Sequence, residues 1–176
     1  AKDGWTKFSL LQFSKNQKIS IQDLKSLFRN KDHVLERFSK MIDYKVESNI
    51  DVEEMKSTSN KDSLFELIML RLEAMQTYKV ALRNILSSAK EQPIILKKLS
   101  KNIINSLDFY LELSSYYDYT PVDFLKKNAI FFIYSLTFRV WLNDESDDLS
   151  KTMAELDKFL SMADKANEKI TSFLSV

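Results

Sequence analysis

A chain of 176 residues with one glycine and two prolines has few of the residues that let a backbone reverse sharply. Each hairpin of a β-sandwich or barrel asks for glycine, asparagine or proline at set turn positions, where φ must become positive or be fixed in advance. Gly4, Pro93 and Pro121 cannot furnish that many corners, so the sequence predicts an all-α fold. Apolar residues, at 44%, are enough to fill a core. The longest apolar run, Ala129 to Phe138, ends at Arg139, short of the roughly 20 residues that a bilayer crossing needs. Nothing at its start reads as a secretory leader, and cysteine is absent, which removes disulfides, thiolate metal sites and cysteine nucleophiles. We therefore expect a cytoplasmic protein with no integral membrane segment.

The net charge of +1 argues against a uniformly basic nucleic-acid binder and against an acidic disordered tail, but the charge is unevenly placed. Residues 1–48 hold ten Lys or Arg against six Asp or Glu, whereas the rest of the chain is slightly acidic. A polar stretch, Ser48–Asn60, reads as a connection between a short N-terminal unit, residues 1–47, and a larger helical unit, residues 61–176. In the first unit, Ser9 caps a helix over Leu10–Asn16 and Ser20 caps another over Ile21–Phe28, whose Ile21, Leu24, Leu27 and Phe28 share one face. Asn30 caps a third, from Lys31 to about Val46. Two short helices joined by a tight turn and followed by a longer one form the helix-turn-helix layout.

The second unit reads as helices over Lys61–Tyr78, Val80–Ser88, Gln92–Leu113 (with a break near Lys101), Pro121–Asn143 and Leu149 to about Ile170. Pro93 and Pro121 suit first-turn positions, where a missing N–H costs nothing. Leu149, Met153, Leu156, Leu160 and Ala163 recur at threes and fours, a seam suited to packing on another helix.

Gly4-Trp5, Ser9, Ser20, Leu24 to Phe28, and Asn30-Lys31 with Leu35, Phe38 and Ile42-Asp43 resemble the start of TetR-family transcription regulators. That family closes its recognition helix on an aromatic residue, followed by a Ser/Asn-Lys pair. It also places a helix ahead of the Gly-Trp, a position that the present chain opens with Ala1–Asp3 alone. Gln22, Asp23 and Lys25 stand where the family usually carries Gly, Thr and Tyr. Farther on, Lys126–Ile130, Thr137–Ser146 and Thr152 to Asp157 resemble an α-proteobacterial branch of the TetR family and also the Coq-nine lipid-binding accessory family of ubiquinone biosynthesis, which has the same fold. The acidic, Trp-containing segment of the ubiquinone family is replaced here by Ser115–Asp123.

These resemblances imply three sites. Lys18, Gln22, Lys25, Asn30 and Lys31 surround the second and third short helices, where Lys and helix-start N–H groups suit phosphates and Gln suits adenine edges of double-stranded DNA. Aromatics of the second unit, Phe109, Tyr110, Tyr117, Phe124, Phe131 and Tyr134, with Tyr116, Tyr119 and Phe132 nearby, are candidates for a pocket holding a small apolar or lipid ligand, although core is the default role for any one of them. Phe138, Trp141, Leu149, Met153, Leu156 and Leu160 are expected to form a homodimer interface, as a four-helix bundle.

Other chemistry finds little support. Asp144–Asp148 lacks the glycine of a calcium loop and reads as a capped turn rather than a metal site. His33 is the only histidine, and a single glycine permits neither a nucleophile elbow nor a phosphate-cradling loop. No cofactor is implied, and an enzyme is not expected. The apolar tail, Ile170–Val176, reads either as a packed or frayed last turn or as a membrane-touching segment. The first functional reading is a DNA-binding regulator that responds to a small apolar ligand. The alternatives are a lipid or isoprenoid-quinone carrier that does not bind DNA, and a structural dimer with neither activity.

Overall fold

In a computed structural model, residues 4–117 and 120–174 are described, and every regular element among them is helical. In order these are α1 (Gly4–Lys7), α2 (Leu10–Gln17), α3 (Ile21–Leu27), α4 (Lys31–Glu47), α5 (Val52–Ser57), α6 (Asn60–Ala74), a short 3-10 turn (Gln76–Tyr78), α7 (Lys79–Glu91), α8 (Pro93–Leu113), α9 (Asp123–Asn143) and α10 (Ser150–Leu174). The caps read from sequence are in place. Ser9 Oγ accepts the Gln12 N–H at 3.1 Å, Ser20 Oγ that of Gln22 at 3.2 Å, and Asn30 Oδ1 that of His33 at 2.9 Å. Ser59 opens α6 in the same way, accepting from Asp62 N–H while its hydroxyl donates to the Asp62 carboxylate, so each satisfies the other.

Several expected boundaries move. Ser48–Asn60 contains a helix, α5, instead of being wholly irregular. The helix expected over Lys61–Tyr78 breaks at Met75 into the 3-10 turn, and α8 runs unbroken past Lys101. Pro93 does open α8, but Pro121 lies in the turn before α9. Leu149 precedes α10 at a φ of 54°, and α10 extends to Leu174. Scarcity of glycine has a local consequence here. Lys18, Ser115 and Leu149 occupy left-handed conformations at helix ends where glycine would be unstrained. Gly4 takes φ 72°, a left-handed backbone that favours glycine.

The central helix is α6. Its Leu64, Leu67, Ile68 and Leu72 are wholly buried among α4, α8, α9 and α10. With α1–α3 labelled the head and α5–α10 the body, α4 contributes to two clusters: Ile42 and Val46 join the main core, while Leu35 joins Trp5, Ala89 and Ile95 in a smaller one. Trp5 stacks on Phe8 at 5.1 Å between centroids, and α1 packs on α7.

This packing places most of the expected dimer seam inside the protomer. Leu149 is 5% exposed, and Trp141, Leu156 and Leu160 are wholly buried, so these side chains fill the protomer's own core. Met153 and Phe138 are half-buried against the same core, and Phe138 also lines a cavity. The regular spacing of the seam reported a true packing stripe, but its partner is the same chain. The outward face of α9 is instead the one left open. Leu125, Ala129, Phe132, Leu136 and Val140 follow each other at fours and threes, with Leu125 61% and Phe132 63% exposed. Met162 on α10 is 60% exposed. Among the described residues no helix is long and apolar enough to cross a membrane.

Candidate DNA-reading face and ligand cavity

Helices α2 and α3 pack as a pair. Their turn is held by Ser14, whose hydroxyl donates to the Ile19 carbonyl at 2.6 Å, and by Lys18 in its left-handed C-cap conformation. Leu24 is buried beneath α3, which leaves Gln22, Asp23, Lys25 and Ser26 on its exposed side. The five candidate DNA contacts thus lie around one end of the head, but they are not equally free. Lys18 and Gln22 project from exposed positions. Lys25 Nζ donates to the Arg29 carbonyl at 2.9 Å, closing the turn between α3 and α4. Asn30 is engaged as the α4 cap. Lys31 is half-buried, with Nζ at 3.5 Å from the Thr6 carbonyl and 6.0 Å from the centre of the Trp5 ring. His33 has a structural part in the same turn: Nδ1 accepts the Arg29 N–H at 3.2 Å, and its ring meets Phe28 edge-on. Arg29, exposed between α3 and α4, was not among the candidates, although its position between α3 and the Asn30 cap would have allowed it.

The body encloses an apolar cavity of about 710 Å³ between α4, α7, α8 and α9. Phe38, Leu86, Leu99, Ile103 and Phe131 supply apolar wall, and Tyr134 and Arg71 close its inner end. This size and lining suit a small organic ligand. Of the aromatics expected to line a pocket, only Phe131 and Tyr134 do so. Tyr110 is wholly buried away from the cavity, and Phe124 is 71% exposed on α9. Tyr117 bonds Asp108 and lies outside the lining, and Phe109 borders a separate polar cleft between α4 and α8. Tyr116 is tied to Asp164, and Tyr119 falls outside the described residues. Aromatic content marked the region, but leucine and isoleucine of α7 and α8 supply a large part of the apolar wall. Sequence pattern does not distinguish a helix stripe that faces another side chain from one that faces a void.

Behind the cavity lies a buried polar network. Arg71, 2% exposed, donates to the Asp43 carboxylate, to Ser39 Oγ at 3.0 Å, to Tyr134 OH at 3.3 Å and to Tyr110 OH at 3.4 Å. Asp43 Oδ2 also accepts from Ser106 Oγ at 2.8 Å. Burial works against the guanidinium charge, but Tyr134, Tyr110 and Asp43 outweigh it and raise the pKa of Arg71. The same burial raises both tyrosines, so their hydroxyls stay protonated. This single cluster joins α4, α6, α8 and α9, because Ser39 and Asp43 stand one helical turn apart on α4. Asp43 entered the sequence reading only within the TetR-like stretch, and neither it nor Arg71 was assigned to a site; an arginine within the apolar run of α6 was the other signal.

The segment Asp144–Asp148 is a capped turn. Asp144, 1% exposed, accepts from Thr152 N–H at 2.9 Å, from Thr152 Oγ1 at 2.7 Å and from Ser146 N–H at 3.1 Å. The side chains of the tail from Ile170 on lie outside the described set.

No protein-family model and no curated protein matches this chain. Among solved structures, a TetR transcriptional regulator from Nitrosomonas europaea superposes with a TM-score of 0.72 at 19% identity, covering 90% of this chain and 87% of that one. The two share a fold, and the expected TetR-like architecture is therefore present. The likeness to the ubiquinone accessory family gains no support from these comparisons.

Proposed function

We propose that this chain, built on the fold of TetR regulators, is a homodimeric DNA-binding transcription regulator whose affinity for DNA is set by a ligand in the body cavity. One observation carries the reading. Helix α4 follows α3 across a turn closed by the Lys25 bond to the Arg29 carbonyl and, two to three turns on, is bonded through Ser39 and Asp43 to Arg71, which lines the cavity with Tyr134. A ligand that contacts Arg71 or Tyr134 in only one position of α4 would shift the spacing of two recognition helices in a dimer. That differential contact is what a switch requires.

The dimer is assigned to the outward stripe of α9, Leu125, Phe132 and Leu136, with Met162 of α10. A helix that is apolar on both sides loses that surface to water unless a second body covers it. Head contacts to DNA are assigned to Lys18 and Arg29 for phosphates and to Gln22 for a base edge.

Selection from a randomised duplex library, followed by affinity measurement across salt concentrations, tests the reading. A palindromic preference is expected, with affinity falling steeply as salt rises. Lys18→Ala should lower the slope of log affinity against log salt by about one without changing the preferred sequence, whereas Gln22→Ala should relax preference at one position. Recovery of no preferred sequence, with binding indifferent to Lys18→Ala, would refute it.

A further inference from the structure

The cavity combines an apolar interior with an unbalanced rim. Arg71, Arg83 and Arg139 line it, and among the described residues no aspartate or glutamate does. Composition does not explain the imbalance, since the chain holds 25 acidic residues to 26 basic ones. Nor is it a property of cavities here: the polar cleft on the other side of α4 sets Asp32, Glu36, Asp43 and Glu47 against Arg29, Lys40, Lys98 and Lys101. Arg71 is matched by Asp43. Arg83 and Arg139 are not so matched. Arg83 donates one N–H to the Leu142 carbonyl, which brings its guanidinium to the α9 turn that carries Arg139, and neither arginine has a carboxylate partner among the described residues. Both are exposed residues of the lining, and Leu86, Leu99, Ile103 and Phe131 belong to its apolar part. Ser87, Ser135 and Asn143 add neutral polar groups to the lining.

Resting on the reading of this cavity as the effector site, we infer that the effector is an anionic amphiphile: an apolar chain or ring between α7, α8 and α9, with one carboxylate or phosphate group held at the mouth by Arg83 and Arg139. A planar guanidinium suits either head group, because both present paired oxygens to its fork of N–H donors. The apolar body provides affinity, and the head group provides discrimination and orientation. A neutral molecule of the same shape would fill the same space and leave two cations without a counter-charge. A cationic amphiphile would be repelled by the same rim.

The test uses the full chain and the neutral, environment-sensitive dye Nile red as the cavity probe, displaced in turn by dodecanoate, dodecyl phosphate, dodecanol and dodecyltrimethylammonium. One of the two anions is expected to compete at least about tenfold more tightly than the alcohol, the scale of one charge-assisted hydrogen bond at an exposed rim, and whichever anion is tighter identifies the head group. The cation should compete least. Arg139→Gln, and separately Arg83→Gln/Arg139→Gln with folding checked by thermal melt, should narrow the gap between anion and alcohol to less than about threefold. An alcohol that competes as well as both anions, or a gap that survives in the double variant, overturns the inference and leaves the cavity reading standing. Absence of dye uptake, or uptake unaltered by Ile103→Trp placed in the cavity wall, overturns both.

Discussion

Removing the charge of Arg71 probes the most consequential contact in the molecule. Arg71→Met keeps much of the side-chain length and deletes every donor. Breaking a buried ion pair from one side costs about 3–5 kcal/mol, because the remaining charge is left without compensation. Asp43 would keep Ser106 Oγ at 2.8 Å and Tyr110 OH at 3.3 Å, and its side chain is 20% exposed, so water can help to solvate it. We therefore place Arg71→Met at the low end, about 3 kcal/mol. Asp43→Ala strands a guanidinium that is only 3% exposed, with Ser39 as its one well-placed acceptor, and belongs at the upper end, about 4–5 kcal/mol. The double variant Arg71→Met/Asp43→Ala has no orphan charge, and its cost should fall short of the sum by at least about 2 kcal/mol. Urea unfolding followed by far-ultraviolet circular dichroism measures all three, with an unchanged m-value as the check that the transition is comparable. Single losses below about 1 kcal/mol that simply add would refute the claim that this pair ties α4 to the body.

Three further outcomes are expected. Asp144 is held below the usual carboxylate range: burial opposes its charge, but donors from Ser146 and Thr152 outweigh that. Its stabilising effect should be complete above about pH 5, lost as pH falls below the unfolded value of roughly 3.9, and reduced by about 2 kcal/mol at pH 7 in Asp144→Asn, with the gap between the two proteins closing in acid. Ser115→Gly should raise stability by about 0.5–1 kcal/mol in the same unfolding assay, since Ser115 sits at φ 53°. Phe132→Lys should convert a dimer to monomer in sedimentation with the helical circular dichroism spectrum kept, whereas Leu156→Ala, in the protomer core, should cost about 3 kcal/mol; the reverse pattern would restore the seam first read from sequence.

The helical class, the head with its three caps, and the start of α8 at Pro93 were all legible in the order of residues. Each depends on neighbours within one turn: a serine or asparagine oxygen reaches an N–H three residues on at most, and a proline fits the first turn for reasons internal to its ring. The direction in which each stripe faces was not local. Periodicity placed Leu149, Leu156 and Leu160 on one side of α10, but which body lay against that side depended on how α9 folds back on α10 and on α6, whose Lys61 reaches Asp157 across 96 residues. The same limit concealed the site. Arg71 lies 28 residues from Asp43, 39 from Tyr110 and 63 from Tyr134, and nothing at those separations marks four polar side chains as one cluster. A cavity is harder still to read, since it is the volume that packing fails to fill. Sequence alone determined the helical class and where the capped helices begin; the tertiary structure decided several helix ends and which faces meet, because burial depends on contacts between segments far apart in the chain.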